Sequence, residues 1–532
     1  TDIDIAGDLK IGAFHNNTGA NNTGAGNADI AAGTIVSDGD IENRGTAGNV
    51  SVAAESGGIT VGGSIYNSSS NGMTVKAAGK IAVTGTIKND SNDGTMNITG
   101  ASLTVSGGDS DNASFVNKGN LNINIAGETN LANGFDLSAM GADNTFSLTT
   151  GSLDLGAGAD RWLGVFTNKL NEFTLIVKQG TVSTAQGTGW NAVTNNGGDM
   201  RVHAPTIAVG NVTNNGNSLE IGNFEISDTI VDGTNSVTVN GDVRSSADAE
   251  STEIASAGSL TVTGSVVHNG ASADDNVMAL YGGDTVQIDG SVSNESGGTL
   301  NVAASVADGT VTIGQSVTNT SGEINIDGNT IAVNGALVSS GGNININATG
   351  DDNNNGLTVK SIDADAGAIN LNNLAGGVTV NGAIDIQSGA TLNIAKATSN
   401  VTAAGSISID GDVTVGAASD NGGDIVIAAS GVEDFTLKSN YVATDGENQA
   451  ALNIGGNINV TAAGAHNVTL AAGTMSVGDS VNVSGATNAL VLGNEFDNHL
   501  SVTNSVTVDN GGTLELVAGT NEIGGGLSIN NN

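Results

Sequence analysis

The residues best suited to acid–base chemistry lie in one short stretch. Asp160 and Arg161 stand beside Trp162, and Asp154 lies a short distance upstream of Asp160. Carboxylates beside a cation and an aromatic platform are what enzymatic cleavage of a polysaccharide needs. A solvated ion pair next to a core aromatic accounts for the same residues, and the five histidines show no metal-ligand spacing. The sequence therefore predicts that the protein is not an enzyme, with a polysaccharide-degrading enzyme as a distant alternative.

Two acidic corners offer oxygen ligands of the kind that Ca²⁺ prefers. One holds Asp109 and Asp111, and the other holds Asp351 and Asp352 ahead of three asparagines. Neither has the spacing of an EF-hand or of a calcium-binding nonapeptide repeat. Corners in which Asp and Asn side chains bond their own backbone are the alternative interpretation. No cofactor is certain from the sequence, and calcium at these four residues is the one cofactor that it suggests.

The composition argues against an ordinary globular core. The 532 residues include 80 Gly, one Pro and no Cys, and aromatic residues make up 3% of the chain. Val, Ile and Ala must therefore fill the core, and such short side chains suit a narrow core in which they stack on one another. Disorder is the alternative for an acidic chain rich in Gly, Asn, Ser and Thr. However, 38% of the residues are hydrophobic, and Val and Ile alternate with polar residues as strands require.

The net charge is −40 at pH 7, from 54 acidic and 14 basic residues. Nucleic acid is not expected as a partner, because phosphate binding needs clustered Lys and Arg. No apolar run is long enough to cross a bilayer as a helix, so the sequence predicts no membrane span. A long chain without Cys fits a secreted protein that does not depend on disulfides. We expect an extracellular or cell-surface location, where the acidic surface resists aggregation or collects divalent cations.

A repeated phrase organises the chain. Residues 59–67 read Ile-Thr-Val-Gly-Gly-Ser-Ile-Tyr-Asn, and a similar phrase, Ile-Ala-Val-Thr-Gly-Thr-Ile-Lys-Asn, occupies positions 81–89. Between successive phrases lies a second kind of strand, such as Leu300-Asn301-Val302. Period-two alternation places Val, Ile and Leu inward and Thr, Ser, Asn and Lys outward. The phrase returns through the second half, opening at Ile207, Val237, Leu260, Val286, Val311, Ile331, Leu357, Val378, Ile407, Leu452, Met475 and Leu500.

This period predicts an all-β fold, a right-handed parallel β-helix (β-solenoid) with roughly 20–25 residues and about three short strands per coil. Gly, Asn, Asp and Ser occupy the corners, where positive φ or a side-chain turn is needed. Tandem antiparallel sandwiches or barrels are the alternative, but a nearly constant two-phrase coil favours stacking. Five asparagines that close the same phrase could form an amide ladder between coils: Asn67, Asn89, Asn214, Asn294 and Asn319.

The pattern divides the chain into three parts. Regular coils are predicted for residues 1–129 and 206–532, and an irregular, aromatic-rich segment or insertion for 130–205. That segment holds Phe135, Phe146, Trp162, Phe166, Phe173 and Trp190. Wider coils with bulkier core residues are one interpretation. A lateral contact with another subunit or a ligand, at Arg161, Trp162 and Trp190, is the other.

The coil length, the Val/Ile/Leu interior and the Asn/Gly corners resemble the β-helical shafts of filamentous haemagglutinin-type adhesins and autotransporter passengers. The resemblance covers nearly the whole chain and is one of architecture. It implies a secreted bacterial surface protein whose β-helix forms an extended shaft.

The sequence favours a structural function, a rod that self-assembles into a surface filament, matrix fibre or surface layer. The expected partner is the chain itself, stacked end to end. Ile3, Ile5, Leu9 and Ile11 already form a full phrase, and Leu527 and Ile529 form a core-type strand. A piece cut from a longer solenoid explains these strands equally well. The alternative function is an adhesin stalk that mediates attachment to a host or neighbouring cell.

Overall fold

A computed structural model describes the following residues of the 532: 2–16, 26–45, 48–108, 113–155, 165–179, 181–182, 190–222, 236–270, 276–349, 356–373, 378–381, 384–386, 390–394, 407–409, 413–415, 424–425, 434–438, 451–454, 458–460, 467–471, 474–478, 480–484, 489–492, 499–517 and 519–530.

The described residues form strands and no helix. The strands stack in parallel as a β-solenoid of about 14 turns, which confirms the fold class predicted from the sequence. Contacts group the chain into two compact units. Unit 1 comprises Thr1–Gly241 and Asp248–Ser256, and unit 2 comprises Asp242–Ala247 and Ala257–Asn532. The three-part division predicted from the sequence stays a prediction.

The strands of unit 1 are β1 (Asp2–Ile11), β2 (Phe14–Asn16), β3 (Ala28–Ser37), β4 (Ile41–Asn43), β5 (Val50–Ala54), β6 (Ile59–Val61), β7 (Ile65–Asn67), β8 (Met73–Ala77), β9 (Lys80–Val83), β10 (Ile87–Asn89), β11 (Thr95–Gly100), β12 (Ser102–Val105), β13 (Phe115–Asn117), β14 (Asn120–Leu131), β15 (Phe135–Asp136), β16 (Thr145–Asp154), β17 (Val165–Asn168), β18 (Glu172–Val177), β19 (Thr181–Val182), β20 (Trp190–Asn195), β21 (Asp199–His203), β22 (Thr206–Asn214), β23 (Ser218–Gly222), β24 (Ser236–Val239) and β26 (Ser251–Ser256).

The strands of unit 2 are β25 (Val243–Ser245), β27 (Ser259–Val262), β28 (Val266–His268), β29 (Val277–Gly282), β30 (Thr285–Ile288), β31 (Val292–Asn294), β32 (Thr299–Ala304), β33 (Thr310–Ile313), β34 (Val317–Asn319), β35 (Glu323–Gly328), β36 (Thr330–Ala348), β37 (Leu357–Asn373), β38 (Val378–Val380), β39 (Ile384–Ile386), β40 (Ala390–Ile394), β41 (Ile407–Ile409), β42 (Val413–Val415), β43 (Asp424–Ile425), β44 (Asp434–Lys438), β45 (Ala451–Ile454), β46 (Ile458–Val460), β47 (Asn467–Ala471), β48 (Thr474–Val477), β49 (Val481–Ser484), β50 (Ala489–Leu492), β51 (His499–Val502), β52 (Val506–Asp509), β53 (Thr513–Leu516), β54 (Thr520–Ile523) and β55 (Leu527–Asn530).

Each coil of the regular region contributes three strands, and each strand pairs in parallel with its equivalent in the next coil. In unit 1, β5, β6 and β7 pair with β8, β9 and β10. Like residues therefore meet, as where Ile59 opposes Ile81. The repeated apolar residues point inward and are fully buried, whereas Thr60 between them is exposed. The inside–outside assignment from period two is thus confirmed here.

The third strands of six successive coils form a separate sheet in unit 1, in the order β15-β13-β10-β7-β4-β2. Glycine corners let these strands approach their neighbours closely. Gly72 has a φ of 91°, and a Cβ there would collide with the carbonyl oxygen of Thr95. Such corners tolerate no larger residue, which explains why glycine punctuates the repeat.

Aromatic side chains fill the core at the start of the irregular segment. Phe115, Phe135, Phe146 and Phe173 are almost fully buried. Their ring centroids lie 5.4, 5.6 and 4.9 Å apart along the series, and the last pair is stacked. The bulkier-core interpretation of Phe135, Phe146 and Phe173 is therefore confirmed.

Candidate functional site

Seven of the sequence-predicted site residues lie outside the described part of the chain. These are Asp109, Asp111, Asp160, Arg161, Trp162, Asp351 and Asp352. Trp190 begins β20 and pairs with Val209, but its side chain also lies outside the description. Calcium binding and the lateral contact therefore stay predictions. Among the residues that the structure describes, no group of three or more His, Cys, Asp or Glu is placed to hold a metal ion.

The predicted assembly residues lie on outer strands. Ile3, Ile5, Leu9 and Ile11 are partly exposed on β1, where Ile3 pairs with Ile30 of the next coil. Leu527 and Ile529 lie on β55 and are 55% and 64% exposed. They oppose Val506 and Val508, so they continue two inward columns of the core. The described residues include no helix that is long and apolar enough to cross a membrane.

A buried amide ladder runs through the third-strand corner of unit 1. Asn16 Nδ2 donates to Asn43 Oδ1 at 3.0 Å, and Asn43 donates to Asn67 at 3.1 Å. The series continues from Asn67 to Asn89 and from Asn89 to Asn117, each at 2.8 Å. The last four asparagines are 0% exposed. The predicted ladder between Asn67 and Asn89 is therefore confirmed, and it extends one coil or more in both directions.

The ladder resumes beyond the aromatic coils. Asn168 donates to Asn195 at 2.9 Å, Asn195 donates to Asn214 at 3.0 Å, and Asn214 donates to Thr252 Oγ1 at 3.0 Å. The two predicted members in unit 2 behave differently. Asn294 and Asn319 are fully buried but donate to backbone carbonyls instead of to each other. The amide-to-amide prediction is wrong for that pair.

His268 occupies the ladder position in another coil of unit 2. It pairs in register with Ser245 on one side and Asn294 on the other, and it is 0% exposed. Burial lowers the pKa of His268 to about 4, and a hydrogen bond to the Asn276 backbone offsets part of this effect. A neutral imidazole therefore replaces the usual amide.

An ionic cluster lies on the outward side of the same third strands in unit 1. We call it the tyrosine cluster; its members are His15, Glu42, Arg44, Tyr66, Lys88, Asp90 and Lys118. His15, Glu42, Tyr66 and Lys88 oppose one another in one outward column. Arg44, Asp90 and Lys118 each follow a ladder asparagine, so they form a second column beside the first.

Glu42 is the first hub of the tyrosine cluster. Its carboxylate accepts two hydrogen bonds from Arg44, at 2.7 and 2.6 Å, and lies 2.6 Å from His15 Nδ1. Arg44 and, more weakly, His15 hold the pKa of Glu42 below its usual range despite burial. The Arg44 guanidinium also lies over the Tyr66 ring, 4.8 Å from its centroid.

Asp90 is the second hub. It accepts a hydrogen bond from the Tyr66 hydroxyl at 3.1 Å, and its carboxylate lies 2.5 Å from Lys118 Nζ and 3.5 Å from Lys88 Nζ. Lys118 is the main cause that lowers the pKa of Asp90. Burial and then the charge of Asp90 raise the pKa of Tyr66. Two carboxylates therefore hold three cations and one aromatic ring in fixed positions.

A second titratable group in unit 1 contains two stacked carboxyls. Arg201, Glu220 and Glu253 oppose one another in an outward column. Glu220 contacts Arg201 Nε at 3.2 Å and His203 Nε2 at 2.9 Å. His203, followed by Arg201, lowers the pKa of Glu220, whereas burial and then Glu220 raise the pKa of Glu253. Adjacent coils thus carry one stably ionised carboxylate and one that holds its proton more tightly.

Sequence reasoning missed both groups. A signal for the tyrosine cluster existed, because aligned phrases place Tyr66 directly beside Lys88, and Asp90 follows on the same face of the chain. The interval between Glu220 and Glu253 is longer than the usual coil, so phrase alignment does not pair them.

Three comparisons with known proteins found no match to this chain. No protein-family model matches the chain, and no curated protein or solved structure is significantly similar to it.

Proposed function

We propose that this chain is a structural extracellular protein whose coils stack end to end with further copies, forming a surface filament, matrix fibre or surface layer. The type of repeat, which resembles filamentous haemagglutinin-type adhesins and autotransporter passengers, supports a secreted bacterial surface protein. The same resemblance supports the alternative of an adhesin stalk.

Parallel stacking in register carries the proposal, because it joins each described coil to the next through backbone hydrogen bonds. A strand at the edge of a parallel stack has unpaired backbone groups that can bond to one more strand. Leu527 and Ile529 of β55 lie in line with two columns of the core. A further coil of the same kind would pair the backbone and bury both side chains, and β1 carries a partly exposed phrase of matching type.

The test compares two lysine variants of the whole chain. We expect the unaltered chain to form end-to-end assemblies in negative-stain electron microscopy and sedimentation velocity. Leu527→Lys/Ile529→Lys should reduce assembly by about tenfold in the association constant, because it places charges on the stacking edge. The control is Val306→Lys, which alters another exposed apolar residue, 44% exposed. A chain that stays monomeric, or a double variant that assembles normally, would overturn the proposal.

The stacked carboxyls favour one second candidate, a polysaccharide-degrading β-helix enzyme. Glu220 and Glu253 lie in adjacent coils with opposite pKa shifts, beside Arg201 and His203. Such a pair suits a base and an acid in glycoside cleavage. The test measures reducing ends released from neutral and acidic polysaccharides by the chain and by Glu253→Gln. Release that the substitution abolishes supports this candidate, and no release from any polysaccharide removes it.

A further inference from the structure

Glu220 and Glu253 bring two carboxyls directly opposite each other in adjacent coils of unit 1. They are register partners on β23 and β26, and both lie at partly buried outward positions. In-register parallel strands keep such partners about 4.8 Å apart. Like charges that face each other across neighbouring strands destabilise a sheet. We call this pair the glutamate column; its two members repel each other whenever both carboxyls are ionised.

The cations near the glutamate column lie on one side of it. Arg201 and His203 belong to β21, which pairs with β23 on the side away from Glu253. Both contact the Glu220 carboxylate, Arg201 Nε at 3.2 Å and His203 Nε2 at 2.9 Å. Glu253 makes no ion pair among the residues that the structure describes. Glu220 is therefore neutralised by its neighbours, whereas Glu253 faces only the carboxylate of Glu220.

Few other charges surround Glu253 within unit 1. Its own strand β26 contains no second titratable residue, and β24, which packs against β26, contains none. β23 contributes Glu220, and β21 contributes Arg201, His203 and Asp199. Burial and then the charge of Glu220 raise the pKa of Glu253, and His203 opposes them more weakly. Glu253 therefore holds its proton to a higher pH than an ordinary glutamate does.

We propose that the glutamate column is a pH-sensitive contact between two coils, tight in mild acid and weaker near neutral pH. In mild acid the neutral Glu253 carboxyl does not repel Glu220, and its O–H can donate to the Glu220 carboxylate. Loss of this proton places two negative charges opposite each other, where only Glu220 has cations beside it. The contact needs no substrate and does not depend on the enzyme candidate.

The contact weakens as the pH rises, because the pKa of Glu253 is raised from 4.5 in the folded chain. The folded chain therefore binds more protons than the unfolded chain just above pH 4.5. The contribution of the contact to stability is fully present below pH 4.5 and is lost as the pH rises through the raised pKa of Glu253. Glu220 acts in a separate range, since its pKa is lowered from 4.5. His268 in unit 2 has the opposite dependence, because its pKa is lowered.

The test measures protection against amide hydrogen exchange in the whole chain at about pH 4 and about pH 7.5. Glu253→Gln replaces the carboxyl by a neutral amide of the same shape. At about pH 7.5 the amides of β23 and β26 should gain about threefold or more in protection, and at about pH 4 the gain should vanish. The matched control is Glu323→Gln, because Glu323 is also partly buried and outward but faces the neutral Thr299 and Asn343. It should change the protection of β35 by less than about twofold at both pH values.

The unaltered chain gives a second measurement that needs no variant. Between about pH 4 and about pH 7.5, its β23 and β26 amides should lose protection relative to those of β5 and β11, two strands of unit 1 without carboxyl side chains. The proposal is overturned if that ratio stays constant, if Glu253→Gln gains as much in acid as near neutral pH, or if Glu323→Gln gains as much as Glu253→Gln. None of these measurements involves a polysaccharide, so their outcome is independent of the enzyme candidate.

Discussion

At the scale of single residues, position in the coil decides what a side chain does. Inward positions hold mainly apolar residues and amides, many of which match their neighbours in adjacent coils, and outward positions hold polar residues of many kinds. Ile288 and Ile313 oppose each other and are fully buried, whereas the neighbouring Gln287 and Thr312 lie on the outside. Neighbouring positions in one strand therefore differ greatly in their tolerance of charge.

We expect Ile313→Asp to lower the free energy of unfolding by more than about 3 kcal/mol, because it buries an unpaired carboxylate. Thr312→Asp should change it by about 0.5 kcal/mol or less, since the outward column there holds Gln287 and Ala332. Urea unfolding followed by circular dichroism measures both. Equal effects would show that the two positions do not differ in burial.

His268 should make unit 2 sensitive to acid. Its pKa is lowered from 6.5 to about 4 in the folded chain, so the unfolded chain binds more protons between these two pH values. The contribution of His268 to the free energy of unfolding is therefore fully present above about pH 6.5. It is lost as the pH falls toward 4, by about 3 kcal/mol in all.

The comparison with His268→Asn isolates this effect, because asparagine occupies the equivalent position at Asn294. The variant should lose part of the decline in urea midpoint between about pH 6.5 and 4. His499→Asn is the control, since that side chain is 44% exposed. A decline of unchanged slope in His268→Asn would rule out this histidine as its cause.

At the scale of strands and coils, the amide ladder joins successive third strands through side chains as well as backbone. Asn67 accepts from Asn43 and donates to Asn89, all within the interior. Asn97 and Asn122 form a similar bond at 3.0 Å, but on the exposed side of β11 and β14. The two asparagine pairs differ in their access to water, and Asn67 also bonds the Ser69 backbone.

We expect Asn67→Ala to destabilise unit 1 by about 2–4 kcal/mol, because it leaves buried amide groups of its neighbours without partners. Asn97→Ala should cost about 0.5 kcal/mol, since water replaces the lost bond. Thermal unfolding and hydrogen exchange of the two variants make the comparison. Similar losses from both would mean that burial does not strengthen the ladder.

The sequence is sufficient to predict the strands that follow from a local alternation of apolar and polar residues. Alternation at Ile59 to Val61 predicted the strand and its buried face, and the return of the same pattern at Ile81 to Val83 predicted its neighbour. Contacts that depend on side-chain reach were not predictable in this way. Arg44 could turn toward solvent or toward Glu42, and the structure shows that Tyr66 and Glu42 together fix its position. The sequence likewise does not show that the Asn294 amide donates to backbone carbonyls instead of to another asparagine.

At the scale of the whole molecule, charge and stacking act in opposite directions. A net charge of −40 keeps copies apart in solution, while unpaired strand edges favour contact. The assembly proposal depends on one underlying claim. Successive coils must be stacked in parallel and in register, so that columns such as Gln287–Thr312 exist.

Disulfide trapping tests this register most directly, because the chain has no cysteine of its own. In Gln287→Cys/Thr312→Cys, the two Cα atoms should lie about 5 Å apart, within the range that a disulfide spans. In Gln287→Cys/Thr310→Cys, the second cysteine stays on the same face but further along the strand, at about 8 Å, beyond that range. Under mild oxidation at low protein concentration, the account predicts an intramolecular disulfide in the first variant and free thiols in the second. Equal cross-linking of both, or cross-linking of the second alone, would contradict the parallel in-register solenoid.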